Sequence, residues 1–482
     1  MELIILPLAG ALISWLGKSL NRQVSFLFSI ATLALNLYWL SVFIPDGTLQ
    51  FEQNVPWMNE GIRVHTGIDG MGMLLLLLAN LLTPIILLSR WSMNQEQNRL
   101  MLPLILLMQS ALNGVFTSMN GLLFYVFWEL ALIPIYFISA KWGSDNRIRI
   151  TLKFFLYTFF GSVFMLASLL FLYWKTPGTH SFEWASLVAV ELTEAEAWWV
   201  GAGLLIAFLI KIPVFPFHTW QADTYTAAPA AGSMLLSGIM LKMGFFGLFR
   251  WYLPLVPEVI QSQMSWVGLL AVVGVIYGGF IALRQNDLKR LVAYSSFSHV
   301  GLIAAGIATL TINGFQGAAI QMFNHGINIV ALFFAISIIE QRMGSRSMTQ
   351  LRGLAASSRV FAILFMVAVL GTVAVPLTNG FPGELLLLQA VFASNAVYGI
   401  LAGLTIILCA AYMLRMYQFS MFGDAAEHQP AFQALVPSEW LGMGILASLI
   451  LVFGIFPQPI LDLTHASMTQ LLEIIQERIA LR

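Results

Sequence analysis

Charge is what this sequence has least of. Asp, Glu, Lys and Arg make up 10% of its 482 residues, against about 25% in a soluble globular chain. With 59% hydrophobic residues and a mean hydropathy of +0.83, the composition excludes a soluble domain and predicts a polytopic helical membrane protein. Formal net charge is zero, so there is no bulk basic surface and no nucleic acid is expected as a partner. Cysteine occurs once, at Cys409, and one thiol can neither hold an iron–sulfur cluster nor close an intrachain disulfide. Neither a dinucleotide fingerprint nor a P-loop is found. No cofactor and no metal is therefore expected, and any redox or nucleotide chemistry falls to another polypeptide. The first apolar run, Met1 to Gly17, has no basic leader and no small-residue cleavage site, and reads as a retained helix.

Apolar runs of membrane-spanning length, about 17–25 residues, fall at 2–17, 24–45, 67–89, 100–118, 120–140, 150–174, 197–217, 230–252, 264–283, 290–310, 314–339, 359–394, 396–421 and 437–457. The fold class expected is all-α, with about fourteen transmembrane helices. Sixteen of the 23 Lys and Arg lie in the odd-numbered connections, and five in the even-numbered ones and the tail. By the positive-inside rule both termini then face the outer side. Pro213 and Pro216 follow Lys211 in the seventh run, and the twelfth carries Pro376, Asn379, Gly380 and Pro382. Proline removes a backbone donor and clashes with the preceding turn, so both runs should be broken helices. They stand five apart, and an odd number of helices per unit inverts topology, which is the inverted-repeat logic of transporters. The organisation expected is 1–99 for the first three helices, 100–252 and 253–421 for two inverted five-helix repeats, and 422–482 for the last helix and an amphipathic tail. That tail should lie on the outer surface or against a neighbour.

The informative residues are the few charges placed at depth. The stretch from Lys211 to Arg250 puts two lysines, a histidine and three prolines into an otherwise apolar sequence. A lysine near mid-membrane costs roughly 2.5–3.5 kcal/mol, so Lys211 and Lys242 should persist only where they face a protein interior or a water path. Glu129, in FYVFWELALIPIYF, lies roughly 14 Å from each interface at ~1.5 Å per residue; a protonated structural carboxyl is the plainer alternative. For Lys211 that alternative is a structural ion pair with Glu129, and for Glu384 a structural role where the twelfth run restarts. His299 and His325 lie on consecutive runs, and imidazole passes protons readily near neutral pH. A lone core histidine would be a duller reading of either. His218 follows the first break too closely to separate cap from relay, and Asp69 reads as a helix start. In an apolar bulk these groups are satisfied by converging on a shared polar seam. Two charges about 8 Å apart at an effective dielectric near 20 interact by roughly 2 kcal/mol, enough for one protonation state to drive the next.

The segments KIPVFPFHTW, AAPAAGS, LKMGFFGLFR, FYVFWEL, KFFLYTFFGS, DLKRLVAYSSFSHVG, QMFNHGIN and NGFPGELLLL closely resemble the antiporter-like membrane subunits of respiratory complex I, NADH:quinone oxidoreductase. The match runs from about the third helix to the thirteenth and looks most like the subunit M branch. Glu384 is one reason, since a glutamate stands in the twelfth helix of that branch where sister subunits have lysine. The resemblance implies that Glu129 and Lys211 are a pair controlling proton access, Lys242 a central relay residue, His299 and His325 relay histidines, and Glu384 the exit group. It further implies the other membrane-arm subunits, the bilayer and protons as partners, and the cell inner membrane as the location. The chain departs from the family after the tryptophan of the seventh run. Gln221, Ala222, Asp223, Thr224 and Tyr225 stand where Leu-Pro-Asp-Ala-His is usual, which removes a histidine from that loop. A subunit of a cation/proton antiporter or a membrane-bound hydrogenase is the nearest rival; a non-conducting spacer is the rival of another class.

Overall fold

The computed structural model describes residues 1–17, 20–92, 95–424, 430 and 432–480, without the side chains of residues 59, 95–98 and 480. Two of the basic residues used for orientation, Lys18 and Arg482, lie outside the described residues. The chain opens with helices α1 (Glu2–Leu16) and α2 (Asn21–Val42), then strands β1 (Gln50–Asn59) and β2 (Ile62–Ile68). Helices α3 (Gly70–Leu88), α4 (Gln95–Thr117), α5 (Gly121–Leu130), α6 (Leu132–Trp142), α7 (Arg147–Lys175), the short α8 (Trp184–Val188) and α9 (Glu194–Lys211) follow. The next stretch is α10 (Gln221–Ala227), then α11 (Ala230–Leu235), α12 (Lys242–Gly247) and α13 (Leu253–Leu255), the last three joined by π-helical turns at Leu236–Met240 and Leu248–Tyr252. The second half holds α14 (Ile260–Arg284), α15 (Leu288–Ala308), α16 (Ile312–Met343), the short α17 (Leu354–Ser357), α18 (Arg359–Val373), α19 (Gly380–Ser394), α20 (Ala396–Met421), α21 (Pro437–Ile455) and α22 (Gln458–Ala480).

Helix lies over each of the fourteen apolar runs, and eleven helical segments among the described residues are long and apolar enough to cross a membrane. Starts are set by side-chain oxygens that take up otherwise orphaned amides. Asp69 accepts from Gly72 N–H at 2.9 Å, Asp287 from Arg290 at 2.9 Å and Asn395 from Tyr398 at 3.1 Å. Thr193 and Glu196 form a reciprocal capping box at the head of α9. Burial sorts the helices into an inner and an outer set. The segment 230–255, α3, α15 and α16 are enclosed; α16 packs against α3, α11, α15, α18, α19, α21 and α22. By contrast α2, α7 and α20 present Leu27, Phe160 and Ile407 at their outer faces, as helices at a lipid boundary do.

Both expected breaks are present. α9 stops at Lys211; Pro213 sits at φ +31°, and the carbonyl of Ile210 freed by the break accepts from the indole of Trp220 at 3.0 Å. At the second break Ala374 and Leu377 adopt left-handed backbone, φ +61° and +73°. Two asparagines on α16 take up carbonyls on either side of it: Asn328 Nδ2 donates to Gly371 at 2.9 Å and Asn324 Nδ2 to Asn379 at 2.5 Å. Irregular backbone at membrane depth needs such internal partners.

Three features differ from the sequence expectation. The fifth run is also interrupted, at Ala131 between α5 and α6, because Pro134 cannot donate to the Leu130 carbonyl one turn earlier. An antiparallel hairpin, Val55 opposite Val64, occupies what reads as a plain connection; Pro56 inside β1 conceals the strand pattern. The tail helix α22 docks on its own chain, against α3, α13 and α16, with Ser467 Oγ accepting from Gly70 N–H at 2.9 Å. Arg478 fixes its far end by donating to the carbonyls of Val188 at 2.6 Å and Pro254 at 2.9 Å.

Candidate functional site

Lys242 is wholly buried and sits immediately after the first π turn, where the backbone bond from Leu241 N–H reaches back to Leu236. The lysine curls back along this widened turn. Its Nζ donates to the Ser237 carbonyl at 2.7 Å and lies 3.0 Å from Nδ1 of His325 on α16. The other ring nitrogen of His325, Nε2, is 3.0 Å from Ser296 Oγ on α15. An ammonium has only donors, so it fixes the tautomer: Nδ1 accepts and Nε2–H donates to Ser296. One turn further along α15, His299 stands with its ring centroid 6.4 Å from that of His325. His299 Nδ1 is 2.9 Å from Glu384 Oε1 at the head of α19, and Nε2 is 3.4 Å from Cys409 Sγ on α20. The thiol also lies 3.4 Å from the Thr372 carbonyl, to which it donates.

Four of the residues singled out from the sequence, Lys242, His325, His299 and Glu384, are thus brought into one enclosed cluster, each no more than 5% exposed. Such a cluster can move a proton by short steps. A proton given by the Lys242 ammonium to Nδ1 of His325 releases the one on Nε2 toward Ser296, and His299 Nδ1 and Glu384 Oε1, 2.9 Å apart but out of line for a hydrogen bond, can exchange one once either group turns.

Glu129 and Lys211 are arranged differently. Lys211 is 2% exposed, its Nζ lies 5.1 Å from the centroid of the Trp128 ring, and neither Nζ nor Glu129 Oε1 has a hydrogen-bond partner among the described residues. The two interact as charges without a contact ion pair, and Glu129 also lies beside Ser162. His218 is held by aromatic rings, stacked on Phe297 at 4.5 Å and edge-on to Tyr277 at 5.3 Å. Asp69 caps α3 and pairs with Arg250 at 2.5 Å.

Some members of the cluster are not legible as such in the sequence. Ser296 could be found from its place one turn before His299 on the same helix. Cys409 carries no local signal, and its contact with His299 spans 110 positions. Lys289, counted as a connection residue, is 3% exposed and donates to the Ala228 carbonyl at the end of α10.

A family model described as NADH:quinone oxidoreductase/Mrp antiporter, TM matches residues 118–409. The chain belongs to that family. Among the family's members, NADH-quinone oxidoreductase subunit M of Rickettsia typhi is 38% identical, covering 93% of this chain and 92% of that one. F(420)H(2) dehydrogenase subunit M of Methanosarcina mazei is 36% identical over 96% of this chain and 95% of its own. In the structure of respiratory complex I from Thermus thermophilus with bound NADH, one chain superposes with a TM-score of 0.91 at 29% identity, covering 98% of this chain and 99% of that one. A chain of the Mrp complex from Dietzia shares the fold at a TM-score of 0.88 and 20% identity, over 98% of this chain and 99% of its own. The antiporter-family match covers all of the cluster up to Cys409.

Proposed function

We propose that this chain is the subunit M of an NADH:quinone oxidoreductase and that it translocates protons through its buried charged groups while the redox reaction proceeds in other subunits. The observation that carries this reading is the run of contacts from Lys242 through His325 to Ser296 and from His299 to Glu384, enclosed in a family of proton-coupled membrane subunits. In it Glu129 and Lys211 control access, Lys242 is the central carrier, His325 and His299 relay, and Glu384 releases. The chain crosses the bacterial inner membrane fourteen times with both termini outside, as the distribution of Lys and Arg supports. Residues 100–252 and 253–421 form two inverted five-helix units, the first broken in the fifth and seventh runs and the second in the twelfth. Its neighbours are other membrane-arm subunits and lipid, and it holds no cofactor of its own.

The test is the number of protons moved per electron by the purified complex in vesicles. Lys211→Ala should lower it while the complex assembles. A ratio equal to that of the unmodified complex overturns the reading and leaves a structural spacer. Reporter fusions after Lys175 and after Arg482 should both report the outer side; a cytoplasmic signal from either overturns the orientation.

A further inference from the structure

Helix α18 ends in a carbonyl that its own backbone does not satisfy. In a continuing helix the Thr372 oxygen would accept from the N–H four residues on, but that residue is Pro376, which has none. The amide before it, Val375 N–H, reaches back to Leu370 at 3.2 Å instead. A carbonyl freed at membrane depth needs an internal donor. Among the described residues it finds one on α20, the thiol of Cys409 at 3.4 Å. Cys409 is 1% exposed.

The same sulfur stands 3.4 Å from Nε2 of His299, a nitrogen with no other partner among the described residues. A thiol carries a single hydrogen. With that hydrogen given to Thr372, sulfur turns only lone pairs toward the imidazole, so Nε2 carries the N–H and Nδ1 of the neutral ring carries the lone pair. Nδ1 is the nitrogen that faces Glu384 at 2.9 Å. The approach of α20 to α15 is held one turn further along by Tyr412, whose hydroxyl donates to Ser295 at 3.1 Å and also lies beside the thiol. Both nitrogens of His299 are thus set from the two sides of one helix break. The end of α18 acts through the thiol, and the head of α19 supplies Glu384.

We propose that Cys409 is a positioning residue of the relay, which holds His299 as the Nε2–H tautomer so that its exchanging nitrogen, Nδ1, faces Glu384. The mobile proton then enters and leaves the ring at Nδ1. On release the N–H bond there breaks as an O–H bond forms on the Glu384 carboxylate, and the hydrogen on Nε2 stays against the sulfur. With Nε2 tied to the thiol the ring keeps its plane, and alignment is left to rotation of the carboxyl. Without the thiol either tautomer forms, because the hydrogen bond made by one ring nitrogen sets which of the two carries the proton. The inference rests on the relay reading above.

The experiment uses the intact complex in vesicles and reads protons per electron for Cys409→Ala, Cys409→Val, Cys409→Ser and, in parallel, His299→Phe. Alanine and valine remove both contacts, so the ratio should fall about threefold or more, as for the loss of one hydrogen bond, whereas serine keeps a donor and an acceptor and should stay within about twofold. A role in packing alone predicts the reverse order, because valine fills the site and a hydroxyl among apolar helices does not. The contrast between serine and valine carries the test should Cys409→Ala not assemble. If valine pumps as the unmodified complex does while serine does not, the thiol only fills space and the proposal is wrong. If all three Cys409 variants pump normally while His299→Phe does not, the positioning role is wrong and the relay stands. Should His299→Phe also pump normally, the relay reading itself fails and the inference with it.

Discussion

Lys211 and Lys242 are both lysines enclosed by apolar helices, thirty-one positions apart in one chain, yet they are held in opposite ways. Lys242 is locked by a backbone carbonyl and an imidazole at 2.7 and 3.0 Å. Lys211 has an aromatic ring at 5.1 Å and no hydrogen-bond partner among the described residues. Its carboxylate counterpart, Glu129, is only half-buried within the chain, beside the interruption at Ala131. Within the first five-helix stretch, the same residue type is thus held in two ways that suit two roles. A charge without short contacts can shift position when a neighbouring charge changes, at little enthalpic loss, and suits a switch. A charge held by two short contacts transfers protons along fixed lines, and suits a wire.

The comparison breaks most visibly at the end of the wire. Glu384→Gln keeps the shape and removes the titratable oxygen facing His299. Proton pumping in vesicles should fall by about 100-fold, the lower range for loss of a proton-transfer group, and Glu384→Asp should keep part of it. Pumping at the unmodified rate by Glu384→Gln removes Glu384 from the path. The switch is tested by Glu129→Ala, Lys211→Ala and the double variant. Each single change should lower pumping severalfold, and the double should be little worse than either, because partners in one functional unit are not additive. Losses that multiply contradict the pairing. Glu191 and Glu194 are exposed, so replacing them with Gln should leave pumping within assay error, as surface changes usually do.

The smallest effect is expected outside the membrane, at the hairpin. Burial of His65 disfavours its charged form, but the hydrogen bond to Glu183 and the charges of Glu183 and Glu52 outweigh it and raise its pKa. A raised histidine pKa stabilises below the unfolded value of about 6.5 and loses that contribution as pH rises through the folded value. His65→Gln should therefore make residues 50–68 easier to cleave by protease near pH 6, by about 1 kcal/mol or less, and barely change cleavage at pH 9. Equal sensitivity at both values would show that the pair does not hold the hairpin.

Much of this arrangement is legible in the sequence because lipid makes every buried charge costly. Lys242, His299, His325 and Glu384 stand out as the few titratable residues inside apolar runs, and the prolines and glycines around Lys211 and Glu384 mark the breaks. What stays hidden is pairing across distance. Nothing local to QMFNHGIN says that Asn328 caps Gly371 or that His325 meets Lys242 across 83 positions. A structural ion pair with Glu129 is the plainer of the two sequence readings of Lys211; the structure shows no short contact between these side chains, and whether they meet depends on how their helices cross. The β hairpin and the docking of α22 are hidden for a related reason: an amphipathic segment declares its apolar face without saying what covers it.

The account turns on Lys242 as the carrier that links the switch to the wire. The most direct measurement is the number of protons moved per electron by vesicles containing the intact complex with Lys242→Ala, alongside its rate of quinone reduction. The account predicts that the proton ratio drops well below that of the unmodified complex, with the complex assembled and quinone still reduced. An unchanged ratio at an unchanged rate would contradict it.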